Sequence, residues 1–151
     1  ILSRHPLADA RALQPRTDYD TLRLHATLLW QGQPVHLSAL HPMPPLSSAY
    51  AQARDHALRD EALRLSQSGG LGVMAGDLNT TPWARGLWGA EQAQMRRASL
   101  AVPTWPNAWG GLTVLPLDHV LASPGWQLVE AHTGPDLGSD HRPMVVRLVA
   151  R

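Results

Sequence analysis

The stretch Leu71–Pro82, which reads LGVMAGDLNTTP, decides how this chain of 151 residues folds. Its first five residues are apolar or glycine, as in a short buried strand. Gly76 then permits close backbone approach, and Asp77 and Asn79 bring two polar side chains to the strand end. If the chain is extended here, both side chains point the same way and can hold an attacking water. An ordinary Asx turn before a helix has the same sequence, so both interpretations stay open.

Strand patterns lie on both sides of this stretch. Alternating or continuous apolar residues predict further strands at 21–30, 35–40, 117–122, 127–131 and 144–149. Helices are predicted from Ser47 or Ser48 to about Gln67, from Thr81-Pro82 onward, and over Glu91–Arg97. The Pro-, Trp- and Gly-rich segment 103–111 is predicted to be an ordered loop. Strands outnumber helices and the connections are mixed, which indicates one layered α/β domain over residues 1–151.

The charge of the chain excludes few functions. Its net charge is +1, and all 13 basic residues are arginine. Arginine suits phosphate recognition, although a GC-rich gene produces the same bias. The near-neutral charge argues against a dedicated duplex-DNA binder, which usually has a basic face. Because the chain has no cysteine, disulfide bonds and thiolate catalysis are excluded.

A second acidic motif, Ser139–Pro143 (SDHRP), precedes the last predicted strand. The carboxylate of Asp140 is of the type that binds Mg²⁺ or Mn²⁺. His141, as an imidazole with an ordinary pKa of roughly 6.5, can stabilise or protonate a phosphate. In the alternative interpretation, Ser139 and Asp140 cap a turn and His141 is simply exposed.

Two more polar residues lie in or beside predicted strands. Asp118 is surrounded by apolar residues, and a buried carboxylate needs a partner. Orienting a histidine is a common function of such a group, so we expect Asp118 to pair with His141. His119 would face the other side of the strand and is predicted to be structural. His41 follows the strand 35–40, where loops carry function, although a lone histidine before prolines is more often a packing or capping residue.

Four tryptophans have two possible roles. Trp83, Trp88, Trp105 and Trp109 can line a substrate groove or stack on bases, or they can fill the core. Phenylalanine is absent from the chain, which favours the core role for most of them.

The order of the motifs around His41, Asp77, Asp118 and His141 resembles the endonuclease/exonuclease/phosphatase superfamily, the group that includes deoxyribonuclease I. The segments 1–6 (ILSRHP) and 103–106 (PTWP) are similar to further motifs of that family. The resemblance covers essentially the whole chain. It implies a partial two-sheet α/β sandwich of the deoxyribonuclease I type and a metal-dependent phosphodiesterase or nuclease-like hydrolase.

The resemblance also implies a role for each candidate residue. Asp77 would activate or orient the nucleophilic water, and Asn79 would hold the water or the phosphate. Asp140 would bind Mg²⁺ or Mn²⁺. His141, oriented by Asp118, would stabilise the charge that develops on phosphorus.

His41 would contact the phosphate or aid the leaving group. The Pro-Met-Pro-Pro that follows it departs from the asparagine-containing continuation of the nuclease branches. A similar pattern occurs in a bacterial branch whose proteins often carry N-terminal membrane helices. A membrane anchor in a longer parent protein is therefore one expectation, and the substrate stays open between nucleic acid, a phospholipid headgroup and a small phosphodiester.

Two family residues have no counterpart in the sequence. Relatives carry an asparagine on the first strand and a metal-binding glutamate soon after, both upstream of the segment that resembles 1–6. We therefore expect this chain to be the C-terminal portion of the domain, with exposed sheet edges through which copies can associate. The alternative function is a catalytically inactive fragment or degenerate member that serves as a structural or phosphate-binding module.

Overall fold

The computed structural model describes residues 1–108 and 112–151, and this part of the chain forms a six-stranded sheet, a two-stranded sheet and two helices. The strands are β1 (Leu7–Leu13), β2 (Arg23–Trp30), β3 (Gln33–Leu40), β4 (Leu71–Asp77), β5 (Arg96–Arg97), β6 (Asp118–Ala122), β7 (Trp126–Thr133) and β8 (Met144–Ala150). The helices are α1 (Ser48–Gln67) and α2 (Arg85–Gln92). The predicted α/β class is confirmed.

Three strand ends meet at one edge of the large sheet, whose strand order is β1-β2-β3-β4-β6-β5. β2 and β3 form the predicted hairpin, and its turn residues Gln31 and Gly32 both have positive φ, as a tight hairpin turn requires. β3 and β4 are parallel, with α1 as the crossover, so they end at the same edge. β6 is antiparallel to β4 and starts there, with Asp118 opposite Asp77. The topology therefore brings His41, Asp77 and Asp118 to one edge.

The core lies between α1, α2 and one face of the large sheet. Helix α1 begins where it was predicted, because the Ser47 hydroxyl accepts a hydrogen bond from the amide of Tyr50. Its inner face buries Leu58 and Leu65 against the sheet. The buried cluster includes Leu40, Leu58, Ala62, Leu65, Met74, Leu78, Leu87, Ala90, Met95 and Leu121. This close packing keeps the central strands rigid, and the polar residues of the site lie at the ends of those strands.

A buried cluster of charged and polar side chains connects α1 to strands β2 and β3. Glu61 on α1 accepts hydrogen bonds from His25 (2.8 Å), Ser38 (2.8 Å) and Arg64 (3.0 Å). Arg23 lies 3.5 Å from its other oxygen. Burial raises the pKa of Glu61, but these partners outweigh it and hold the pKa below the ordinary value. Burial lowers the pKa of His25, which favours its neutral form.

The structure differs from the sequence predictions at three places. Residues 81–84 form a turn, closed by a bond from the Ala84 amide to the Thr81 carbonyl, so α2 begins at Arg85. The helix predicted over Glu91–Arg97 is wrong, because Gln94 has a φ of 66° and β5 follows on β6. Strand β1 was not predicted, because its residues are mostly exposed and it carries a bulge.

The core role expected for the tryptophans is wrong for two of them. Trp83 is 63% exposed and Trp88 is 51% exposed. Trp109 lies outside the described residues, together with the end of the predicted loop. In the described ranges, neither helix is long and apolar enough to cross a membrane.

Candidate active site

The chain turns after Gly76 and Asp77, as the Asx-turn interpretation of this motif predicted and the extended interpretation did not. Gly76 has a φ of 152°, and a side chain there would collide with the carbonyl oxygen of Leu40, the last residue of β3. Asn79 has a φ of 47°, so its backbone is left-handed. The Oδ1 atom of Asp77 accepts the Asn79 amide at 2.9 Å, which is an Asx turn. This turn fixes the Asp77 carboxylate and leaves its Oδ2 atom facing the site.

The second oxygen of Asp77 lies between two imidazoles. Its Oδ2 atom is 3.3 Å from Nε2 of His41 and 3.8 Å from Nε2 of His141. Burial raises the pKa of Asp77 above its ordinary value, and the charge of Asp118 adds to this, while the Asn79 amide and the two histidines oppose it. A carboxylate with a raised pKa is a stronger base, as proton abstraction from water requires.

Asp118 and His141 form the predicted pair. Oδ2 of Asp118 lies 2.7 Å from Nδ1 of His141. A carboxylate only accepts, so Nδ1 carries the proton and Nε2 points toward Asp77. Burial lowers the pKa of His141, but the hydrogen bond and charge of Asp118, with the charges of Asp77 and Asp140, outweigh it and raise the pKa above the ordinary value. The arrangement favours an imidazolium that faces the site through Nε2.

Thr104 positions this pair, although it was not among the candidate residues. Its fully buried hydroxyl lies 3.3 Å from the amides of both Leu117 and Asp118 and accepts from them. Its carbonyl accepts the amide of Arg142, next to His141. The family resemblance of segment 103–106 included this residue. Its role could not be predicted, because hydrogen bonds between a side chain and distant backbone amides produce no recognisable spacing in the sequence.

Two more buried side chains support the turn after Asp77. Nη1 of Arg54, on α1, donates to the carbonyl of Asn79 at 2.7 Å. Nε2 of His119 donates to the carbonyl of Thr80 at 2.8 Å, so His119 is structural, as predicted. Arg54 was missed. The signal was its position on the apolar inner face of α1, four residues before Leu58.

Asn79 holds two loops together. Its side-chain nitrogen donates to the carbonyl of Pro42 at 2.9 Å, which ties the turn after β4 to the loop that carries His41. The His41 side chain itself is 73% exposed. The structure therefore places Asn79 within the site, with its nitrogen engaged by protein.

Asp140 is the candidate metal ligand, and its backbone is fixed by a hydrogen bond from the Asn107 amide to its carbonyl. Asp140 is exposed and directly precedes His141 in the chain. Over residues 1–108 and 112–151, no three His, Asp or Glu side chains converge to hold a metal ion. Asp140 therefore does not form a complete divalent-metal site with the other described residues.

The family model for the endonuclease/exonuclease/phosphatase family matches residues 1–141. The chain therefore belongs to that family. Comparison with curated protein sequences finds no significant match.

Several solved structures share the fold of this chain. A family protein from Bacteroides thetaiotaomicron is 16% identical with a TM-score of 0.75, over 97% of this chain and 66% of that one. A second, from Beutenbergia cavernae DSM 12333, is 23% identical with a TM-score of 0.73, over 98% of this chain and 46% of that one. A mannosyl-6-phosphatase from Bacteroides thetaiotaomicron VPI-5482 is 14% identical with a TM-score of 0.70, over 95% of this chain and 67% of that one. These similarities confirm the predicted sandwich fold. The chain spans 46–67% of the length of these three structures.

Proposed function

We propose that the protein hydrolyses phosphoric esters, with phosphodiesters as the main substrate class and a divalent metal ion as cofactor. The observation that carries this proposal is the position of Asp77, whose Oδ2 atom lies between the Nε2 atoms of His41 and His141. A basic carboxylate beside two imidazoles can take a proton from water while they stabilise charge on a phosphoryl group. Membership of the family supports the same class of reaction.

In the proposed reaction, Asp77 orients a water molecule and accepts one of its protons while the water oxygen bonds to phosphorus. The bond from phosphorus to the ester oxygen breaks on the opposite side. His141 donates from Nε2 to a phosphoryl oxygen, and Asp118 keeps its Nδ1 protonated and its ring fixed. The exposed His41 contacts the phosphate or protonates the departing oxygen. Asn79 holds the His41 loop against the site.

The metal requirement rests on the family. Its enzymes generally use divalent metal ions, which polarise a phosphoryl oxygen when bound. We propose Asp140 as the ligand that this chain supplies. The asparagine and glutamate of the family have no counterpart in residues 1–151, and we propose that full activity depends on them.

A second candidate function is a phosphate-binding module without catalysis. It is favoured by one observation, which is the absence of a complete metal-ligand group among the described residues. In that case His141 would hold a phosphate and Asp77 would serve the fold as the cap of the Asx turn.

The test is hydrolysis of bis-p-nitrophenyl phosphate and p-nitrophenyl phosphate by the full-length gene product, with Mg²⁺, Mn²⁺ or a chelator. We expect metal-dependent turnover of the diester and a fall in kcat of about 10³-fold for Asp77→Ala. Asp140→Ala should abolish the response to metal. The matched control is Asp18→Ala, which removes an exposed carboxylate outside the site.

Two outcomes decide between the candidates. Turnover that survives Asp77→Ala or Asp140→Ala contradicts the site. Phosphate binding without turnover, under all metal conditions, favours the non-catalytic module.

A further inference from the structure

The loop that carries His141 has little burial of its own to fix it. Ser139 and Asp140 are exposed, and His141 is only partly buried. The imidazole of His141 nevertheless lies 2.7 Å from the carboxylate of Asp118. A hydrogen bond weakens steeply when its length or angle departs from the preferred geometry. The backbone before His141 therefore needs support from a neighbouring part of the chain.

Segment 104–107 lies beside the loop and is fixed independently of it. Trp105 and Leu115 exchange two backbone hydrogen bonds, of 3.0 and 2.7 Å. The buried hydroxyl of Thr104 accepts the amide of Asp118, the first residue of β6, at 3.3 Å. These bonds connect the segment to the chain around β6, so it can serve as a fixed reference for the loop.

Asn107 joins this segment to the loop through two hydrogen bonds. Its backbone amide donates to the carbonyl of Asp140 at 2.7 Å, and its side-chain nitrogen donates to the carbonyl of Ser139 at 2.9 Å. The acceptors are the two consecutive carbonyls directly before His141. Because peptide units are planar, two bonds to successive carbonyls set the orientation of both peptide planes that lead into His141.

Two other hydrogen bonds of the loop do not set this orientation. The amide of Arg142 donates to the carbonyl of Thr104 at 2.8 Å, but it lies after His141. The hydroxyl of Ser139 accepts the amide of His141 at 3.1 Å, and this bond is internal to the loop and moves with it. Asn107 therefore supports the part of the loop on the near side of the imidazole.

We propose that Asn107 is a positioning residue for the reaction, and that its side-chain bond to Ser139 orients the loop so that His141 meets Asp118 and directs Nε2 toward the phosphoryl group. The inference rests on the proposed function, because it takes His141 to contact the phosphate. A misplacement of about 1 Å at a reacting group can lower a rate by about 10²-fold. Loss of the side-chain bond should cause part of that effect, since the backbone bond to Asp140 remains.

The test compares three variants of the full-length gene product. Asn107→Ala removes the donor, and Asn107→Asp keeps the shape but turns acceptor oxygens toward the Ser139 carbonyl. We expect kcat for the diester to fall about tenfold for Asn107→Ala and further for Asn107→Asp. KM should change by less than about twofold. Asn107→Gln keeps a donor and should recover part of the lost kcat.

A second measurement follows the imidazole pair without any turnover. The bond to Asp118 protects the Nδ1–H proton of His141 from exchange with water, so its signal can be observed by 1H NMR. We expect this signal to be lost in Asn107→Ala and Asn107→Asp. The control is Gln127→Ala, which removes an exposed side-chain amide from β7 outside the loop and should keep both kcat and the signal.

The outcomes separate this inference from the proposed function. Unchanged kcat in Asn107→Ala and Asn107→Asp overturns the inference and leaves the proposed function intact. A kcat that falls only in proportion to the folded fraction, measured by circular dichroism, also overturns it, because the side chain would then serve stability alone. If alanine unfolds the protein, the comparison of Asn107→Gln with Asn107→Asp decides the same question. If the unchanged protein has no turnover but Asn107→Ala loses the Nδ1–H signal, Asn107 still positions the pair and the proposed function fails.

Discussion

Asp118 and His141 are 23 residues apart in the sequence and 2.7 Å apart in the fold. Asp118 also faces Asp77 across the β4–β6 pair, so one carboxylate orients the imidazole and raises the pKa of its neighbouring carboxyl. The buried hydroxyl of Thr104 holds the backbone at Asp118 in place. Single side chains in this site therefore act through one another, and their effects should not be additive.

The first prediction concerns the orientation of His141. Asp118→Ala removes the acceptor that holds Nδ1 protonated, so the imidazole loses its fixed tautomer and its direction toward Asp77. We expect kcat for the diester to fall about 10²-fold with little change in KM, measured by steady-state kinetics. The 15N shifts of the ring should show a mixture of tautomers.

The control for this variant is Asp136→Ala, in the loop before His141, where the carboxylate is exposed and does not contact the imidazole. Its kcat should stay within twofold of the unchanged protein. A variant at Asp118 with unaltered kcat and ring shifts would show that the pair has no catalytic role.

Among the elements, those with strong local signals were predicted well. Ser47 and the apolar spacing of Leu58 and Leu65 determine α1, and the glycine turn at Gly32 determines the β2–β3 hairpin. β5 could not be predicted, because two arginines carry no alternating pattern and the strand exists only through pairing with β6. The approach of β3 to β4 depends on Gly76, whose special backbone the sequence only suggested.

The second prediction tests that approach. Gly76→Ala places a methyl group against the Leu40 carbonyl and forces an unfavourable φ. We expect the free energy of unfolding to fall by about 3 kcal/mol, measured by urea denaturation. Activity should fall more than stability explains, because the strand ends that carry His41 and Asp77 would separate.

Gly32→Ala separates the cost of the unfavourable φ from the cost of the collision with Leu40. Gly32 also has a positive φ, but there is open space around it. The expected loss is about 1 kcal/mol, from the backbone conformation alone. Equal losses for the two variants would mean that the close packing against Leu40 contributes nothing.

At the scale of the whole molecule, the sequence predicted which residues meet but not how they are held. The motifs named His41, Asp77, Asp118 and His141; the topology of the large sheet brings the first three to one edge, and the loop between β7 and β8 adds His141. Arg54 was missed because its bond to the Asn79 carbonyl spans two elements. The sequence left the turn at Asn79 open between an Asx turn and an extended strand end, because a left-handed residue after Asp77 has no marker that distinguishes it from an extended one.

The third prediction concerns acid stability. The pKa of Glu61 in the fold lies below its ordinary value of 4.5, so this group stabilises the fold above pH 4.5 and the contribution is lost as the pH falls through the folded value. The pKa of His25 is also lowered from 6.5, so below that pH the unfolded chain binds the extra proton. The free energy of unfolding should therefore decrease from about pH 6.5 downward, measured by urea denaturation at several pH values.

Glu61→Gln isolates the carboxylate. At pH 7 it should lower the free energy of unfolding by about 3 kcal/mol, the smaller end of the range for a broken buried pair, because Arg64 keeps contact with water. Its difference from the unchanged protein should shrink below pH 4.5. Asp60→Asn, an exposed neighbour on α1, should change stability by less than about 1 kcal/mol. A constant difference across the pH range would exclude Glu61 as the cause.

The loop between β7 and β8 belongs to the small sheet, whereas Asp77 and Asp118 belong to the large one. His141 lies on that loop, so its hydrogen bond to Asp118 joins the small sheet to the large one. The proposed chemistry therefore requires the β7–β8 hairpin to be packed against the large sheet. A chain in which this hairpin has separated from the large sheet keeps every candidate residue and has no active site. Turnover would then report on the joining of the two sheets, and a phosphate analogue that bridges His141 and Asp77 would hold them together.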